Sequence, residues 1–142
     1  MAVYNKYQQF VEDLAKKVHN LDTDTLKIAL TNTPPNAAAH KVFADITEIG
    51  PGNGYATGGN TTTFSSGAQT AGTFKLVLAD VTFTATGGNM NTFQYAVLYN
   101  ATPSSPLKPL IAWFDYGTAL IVTSGNSFTV DLDQTGGLFT LA

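Results

Sequence analysis

Apolar residues recur at two different periods along this chain, and the change from one to the other divides it. Val3, Tyr4, Tyr7, Phe10, Val11, Leu14, Ala15, Val18 and Leu21 follow the i, i+3, i+4, i+7 spacing of one helical face. Gln8, Gln9, Glu12, Asp13, Lys16 and Lys17 fall largely opposite, acidic residues before basic ones as a helix dipole favours. The pattern predicts one amphipathic helix over residues 3–21. From residue 25 onward the period is two. Leu26, Ile28 and Leu30 alternate with Lys27, Ala29 and Thr31 as a strand, which Thr33-Pro34-Pro35-Asn36 ends because proline cannot donate to a ladder. Residues 37–49 fit either a short helical turn or an irregular edge.

The centre of the pattern is 93–117, two apolar, aromatic runs around a proline-rich turn at Thr102–Pro106. Phe93, Tyr95, Val97 and Tyr99 share one face of a strand, and Gln94, Ala96 and Leu98 the other, so both faces carry enough apolar surface to be at least partly buried. Leu110–Tyr116, a nearly unbroken apolar run holding the only Trp, Trp113, reads as an interior strand. Upstream, Phe74, Leu76 and Leu78 occupy even positions whereas Val81, Phe83 and Ala85 occupy odd ones. A period-two strand cannot bury both sets on one side, so a bulge, bend or turn is expected near Ala79 and Asp80, letting one strand serve two sheets. Downstream, Phe128, Val130 and Leu132 alternate with Ser127, Thr129, Asp131 and Asp133, and Leu138–Ala142 supplies a last strand. The fold class that follows is mainly β, an antiparallel β-sandwich of jelly-roll or Ig-like kind over 25–142, with one N-terminal amphipathic helix, all in one domain of residues 1–142.

Residues 50–73 stand apart. They contain seven of the thirteen glycines with a dense supply of Thr and Ser. They fit an exposed loop serving as an interaction arm, or equally an irregular, bulged edge strand.

Composition narrows the partners. At 142 residues the chain can bury roughly 70% of the surface its unfolded form exposes. It has no Cys, which excludes disulfides and thiolate metal sites. Only 12% of residues are charged, all seven basic residues are Lys, and the net charge is −3, which argues against a nucleic-acid partner. No stretch approaches the roughly 20 apolar residues of a membrane span, and the N-terminus lacks signal-peptide character, so the expectation is a soluble protein made in the cytoplasm with no membrane partner. A surface so poor in charge points to partial coverage by neighbouring chains.

Candidate chemistry is sparse. Gly50-Pro51-Gly52-Asn53-Gly54 matches neither a P-loop nor a dinucleotide fingerprint. His19, placed on the helix, and His40, in an Ala-rich loop, have no partner at triad or zinc-ligand spacing and read as surface or capping residues. Asp22 with Asp24, and Asp131 with Asp133, are too few oxygens for calcium and read as turn and face residues. Asp115 has no visible acid–base partner. The reading is of no enzyme, no cofactor, no catalytic residue and no metal site. Asn60-Thr61-Thr62 and Asn100-Ala101-Thr102 match the glycosylation pattern and are read as chance.

Several stretches carry a resemblance. Residues 24–33, then Ala44-Asp45-Ile46-Thr47-Glu48-Ile49 leading to Gly52-Asn53-Gly54-Tyr55 and Gly58-Gly59-Asn60, resemble small virion structural proteins of tailed bacteriophages. Phe93–Asn100, Pro109–Gly117 and 124–131 are similar to the same group, so the resemblance spans nearly the whole chain. It implies a virion component made in the host bacterium, first a capsid decoration (cement) protein that binds and stabilises the head shell, second a tail or head-tail accessory. Its partners would be the major capsid protein or other virion proteins, and further copies of itself in a homo-oligomer. A receptor- or glycan-binding spike module using Tyr55, Trp113 or Tyr116 as stacking rings is the competing reading. The candidate interaction residues are Tyr4, Tyr7 and Phe10 on the helix and Asn53, Tyr55, Asn60 and Phe64 in the glycine-rich segment.

Overall fold

The computed structural model describes residues 2–142 and is mainly β, with antiparallel sheets in a sandwich-like arrangement and a single short α-helix near the N-terminus. The strands are β1 (Val3–Lys6), β2 (Leu26–Thr31), β3 (Asn60–Thr62), β4 (Phe64–Thr70), β5 (Thr73–Leu78), β6 (Val81–Thr84), β7 (Phe93–Asn100), β8 (Leu110–Leu120), β9 (Ser127–Val130) and β10 (Phe139–Leu141). A five-stranded sheet runs β1-β8-β7-β2-β3; opposite it lie a three-stranded sheet, β10-β5-β4, and the pair β6-β9.

The helix is shorter than its periodicity predicts. Val3–Lys6 is a strand, paired antiparallel with β8 from Val3 opposite Asp115 to Lys6 opposite Ala112. The open edge of β8 offers these residues ladder partners, and tertiary pairing overrides a weak helical preference. The helix, α1, covers only Gln8–Ala15. Lys17 takes a left-handed conformation (φ 63°), Val18 N–H donates to Asp13 C=O and Lys17 N–H to Leu14 C=O. That is a Schellman stop closed by Lys in place of the usual Gly, so no glycine marks it in the sequence. His19 therefore lies beyond the helix and is buried, not a surface or capping residue.

Both faces of the large sheet are covered. On one face Ile28, Leu30, Ala96, Leu98 and Phe114 join Leu76, Leu78, Val81, Phe83, Val130 and Leu132 from the facing strands in the main core. On the other, Ala29, Tyr95, Val97, Tyr99, Leu110 and Trp113 form a second cluster roofed by Tyr7, Ala37, Phe43 and Ile46. The roof is the excursion between β2 and β3 together with the entry to α1: Phe43 stacks on Tyr99 at 4.3 Å and Tyr7 lies over Trp113 at 4.6 Å. A bulge between Phe93 and Tyr95 turns Phe93 to the main core while Tyr95 and Tyr99 face the roof. The helical turn within 37–49 is a 3-10 turn at Phe43–Asp45, where the Asp45 carboxylate accepts the N–H groups of Lys41 and Val42.

The change of face at residues 79–80 is a corner. β5 ends at Leu78 in one sheet and β6 begins at Val81 in another, so the even and odd apolar sets reach the same core. The β3–β4 run turns a matching corner at Thr63. Ala79 N–H donates to Thr63 C=O at 2.8 Å and the Thr62 hydroxyl donates to Ala79 C=O at 2.6 Å, clamping the two corners together.

A buried polar network ties the segment after α1 to β7. Asn100, fully buried, donates to Asp24 Oδ2 (2.6 Å) and lies 3.1 Å from His19 Nδ1, while its Oδ1 accepts Thr102 N–H. Since the amide donates to both, Nδ1 is the acceptor and the neutral ring carries its proton on Nε2. Burial lowers the His19 pKa, opposed in part by the charges of Asp13 and Asp24. The glycosylation-like Asn100 is thus closed within the fold.

Two predictions follow from this packing. His19 is held neutral, so its contribution to stability is complete above its unfolded pKa of about 6.5 and is lost as pH falls from there through its lower folded value. Denaturant titrations at pH 7.5 and 5.5 should show a larger loss for the natural chain than for His19→Gln; equal losses would contradict the account. Separately, Gly59 (φ 69°) lies against the Ile28 carbonyl oxygen so closely that a Cβ could not fit, whereas Gly87 (φ 76°) has open space around it. Gly59→Ala should cost more than about 3 kcal/mol and Gly87→Ala only about 1 kcal/mol, the backbone strain alone; similar values by chemical denaturation would refute the close approach.

Candidate functional site

A cleft of about 790 Å³ opens where β1 and the outer part of β8 face the chain leaving β9. Its base is aromatic and aliphatic. Phe114 and Tyr116 alternate onto one face of β8, and Tyr4, opposite Phe114 in the β1 register, meets that ring edge-on at 5.7 Å. Leu132 and Leu138 complete the base. Tyr4 and Tyr116 are half-buried, and burial pushes both phenols up to about 12, with the Asp131 charge adding to the shift at Tyr116.

The rim is acidic. Asp80, Asp131 and Asp133 are exposed along it, and no Lys or His is among the lining residues. Each carboxylate has one oxygen occupied locally. Asp80 Oδ1 accepts Leu132 N–H and the Gln134 side-chain amide; Asp131 Oδ1 accepts Asp133 N–H; Asp133 Oδ1 accepts the N–H groups of Thr135 and Gly136. These bonds shape the β9–β10 connection into a wall. Rings below and carboxylates above suit a ligand that is flat or cationic and brings its own hydrogen-bond donors. Among the described residues, no group of three or more His, Asp or Glu is arranged to hold a metal ion, and no helix is long and apolar enough to cross a membrane.

The interaction residues expected from sequence are dispersed. Tyr4 lines the cleft. Tyr7 (0% exposed) and Phe10 (2%) are core residues, because the short helix turns its apolar stripe onto Trp113, His19 and Phe139 rather than outward. Tyr55 (3% exposed) is also withdrawn from contact: its hydroxyl donates to Glu48 Oε2 at 2.7 Å and accepts Leu30 N–H at 3.2 Å. Burial and the adjacent Glu48 carboxylate push that phenol far up. Glu48 Oε2 also accepts Gly58 N–H and the Tyr99 hydroxyl donates to Gly58 C=O, so the first half of the glycine-rich segment is pinned to the sheet rather than projecting. Asn53 and Asn60 use their side-chain amides on the carbonyls of Asn89 and Thr82. Phe64 is 39% exposed, at the start of β4. Of the rings proposed to stack on sugars, Tyr55 and Trp113 are buried and only Tyr116 reaches the cleft.

From the sequence alone Asp131 and Asp133 are strand-face residues, with nothing to join them to Tyr4, Phe114 and Tyr116. The alternation Phe114-x-Tyr116 against Asp131-x-Asp133 is the signal that was available; their meeting depends on the strand order.

Comparison with family models, with curated proteins and with solved structures returns no match for this chain.

Proposed function

We propose that the chain is a structural component of a tailed-bacteriophage particle, a decoration protein whose aromatic, acid-rimmed cleft grips a positively charged segment of a shell protein. One observation carries the reading: an open cleft with rings at its base and three carboxylates, unopposed by any lining cation, at its rim. Half-buried rings supply contact area at little entropic cost, and the rim charges give register and salt-dependent attraction. The resemblance to small virion proteins supplies the kind of particle. A glycan-binding module is the second reading, favoured by Tyr116 standing beside Asp131 in the same cleft.

Co-sedimentation of the purified chain with capsids lacking it tests the proposal. Binding should weaken as salt rises, and Asp131→Lys, at an exposed position outside the core, should lower affinity roughly tenfold or more by placing like charges together. A folded chain that does not bind such capsids contradicts the decoration role, and glycan-array binding lost in the same variant would favour the second reading.

A further inference from the structure

The longest free sheet edge is β4. It pairs with β5 on one side only, and nearly all of Phe64–Thr70 is exposed on both faces. Natural edges of this length are normally blunted by charge, proline or a covering element. This one, Phe-Ser-Ser-Gly-Ala-Gln-Thr, has no charged residue and no proline. Its one irregularity, a register shift between Phe64 and Ser66, leaves Ser66–Thr70 as a regular five-residue edge.

The hairpin fixes which groups point outward. Thr70 and Thr73 flank a two-residue turn, Ala71-Gly72, with positive φ at both positions (50° and 84°). In such a hairpin the flanking pair exchanges hydrogen bonds, so Thr70, Ala68 and Ser66 bond inward to β5. Gln69 and Gly67 then present their N–H and C=O groups to the outside.

We infer that β4 pairs antiparallel with β4 of a second copy about a two-fold axis at Ala68, joining two three-stranded sheets into one of six strands. Around that axis Gly67 faces Gln69 of the other copy and Gln69 faces its Gly67, so all four outward N–H groups meet carbonyls. Ala68 meets Ala68, and Ser66 meets Thr70; these are small, neutral pairs at the close, non-hydrogen-bonded positions. The occupant is a second copy because the edge is self-complementary and because two chains of net charge −3 can approach without like-charge repulsion at an uncharged strand. Phe64, partly exposed, gains cover from the added strand. This inference does not depend on the cleft or on the shell.

Sedimentation equilibrium of the full chain, with no other component, tests it. The natural chain should show a monomer–dimer equilibrium. Ala68→Lys and Ala68→Glu, each placing like charges directly opposite across the axis, should each weaken the dimer roughly three- to tenfold. An equimolar mixture of the two should restore it. Gln69→Pro, which removes an outward N–H and none that bonds to β5, should abolish the dimer with unchanged secondary structure by circular dichroism. A chain that stays monomeric at its highest soluble concentration, or a dimer indifferent to these three substitutions, would overturn the inference. Neither result would bear on capsid binding through the cleft.

Discussion

The fold depends on burying β7 from both sides. A strand with Ala96 and Leu98 on one face and Tyr95, Val97 and Tyr99 on the other cannot leave either face in water. The main core needs a facing layer, which the corner between β5 and β6 provides by carrying one stretch of chain across two sheets. The second cluster needs a roof, provided by the excursion between β2 and β3 and by the entry to α1. Gln8 N–H donating to Ala37 C=O ties the roof to the entry of α1, and Tyr7 N–H donating to Ile111 C=O ties that entry to β8. Phe43 stacked on Tyr99 and Tyr7 tilted over Trp113 are the contacts through which the outer layer is secured.

Much of this was legible where the signal is local. The even-to-odd switch across Phe74–Ala85 located a corner because strand period is strict, and the two apolar faces of 93–99 required cover on both sides. The helix was overextended because residues 3–6 and 18–21 satisfy helical spacing by coincidence. β1 is decided by a free edge more than a hundred residues away, and the helix stop by backbone geometry at a lysine. The glycine-rich segment was half-read. Its second part is an edge strand, but Tyr55, counted as a contact residue, is an anchor, because its hydroxyl partner Glu48 precedes the glycines and the Leu30 amide lies on another strand. The cleft is legible only as two separate alternations, Phe114-x-Tyr116 and Asp131-x-Asp133, since residues 4, 114–116 and 131–138 meet only after the strands are ordered.

The two outward-facing features differ in chemistry and so separate two kinds of contact. The cleft combines rings with carboxylates and selects by charge, which suits a different partner. The β4 edge is neutral and selects by backbone pairing, which suits a copy of itself. The core meets the cleft only through its margin, at Phe114, Leu132 and Leu138, whereas Trp113, the most conspicuous ring in the sequence, is a packing residue of the opposite face.

The molecule is a core buried on both faces of β7, with the long, uncharged edge of β4 left open. Native-state hydrogen exchange followed by NMR at low and high protein concentration tests it residue by residue. Amides of β7 should exchange slowest at both concentrations, while those of Gly67 and Gln69 should exchange rapidly when dilute and slow markedly when concentrated. Rapid exchange in β7, or Gly67 and Gln69 amides protected in dilute solution, would contradict it.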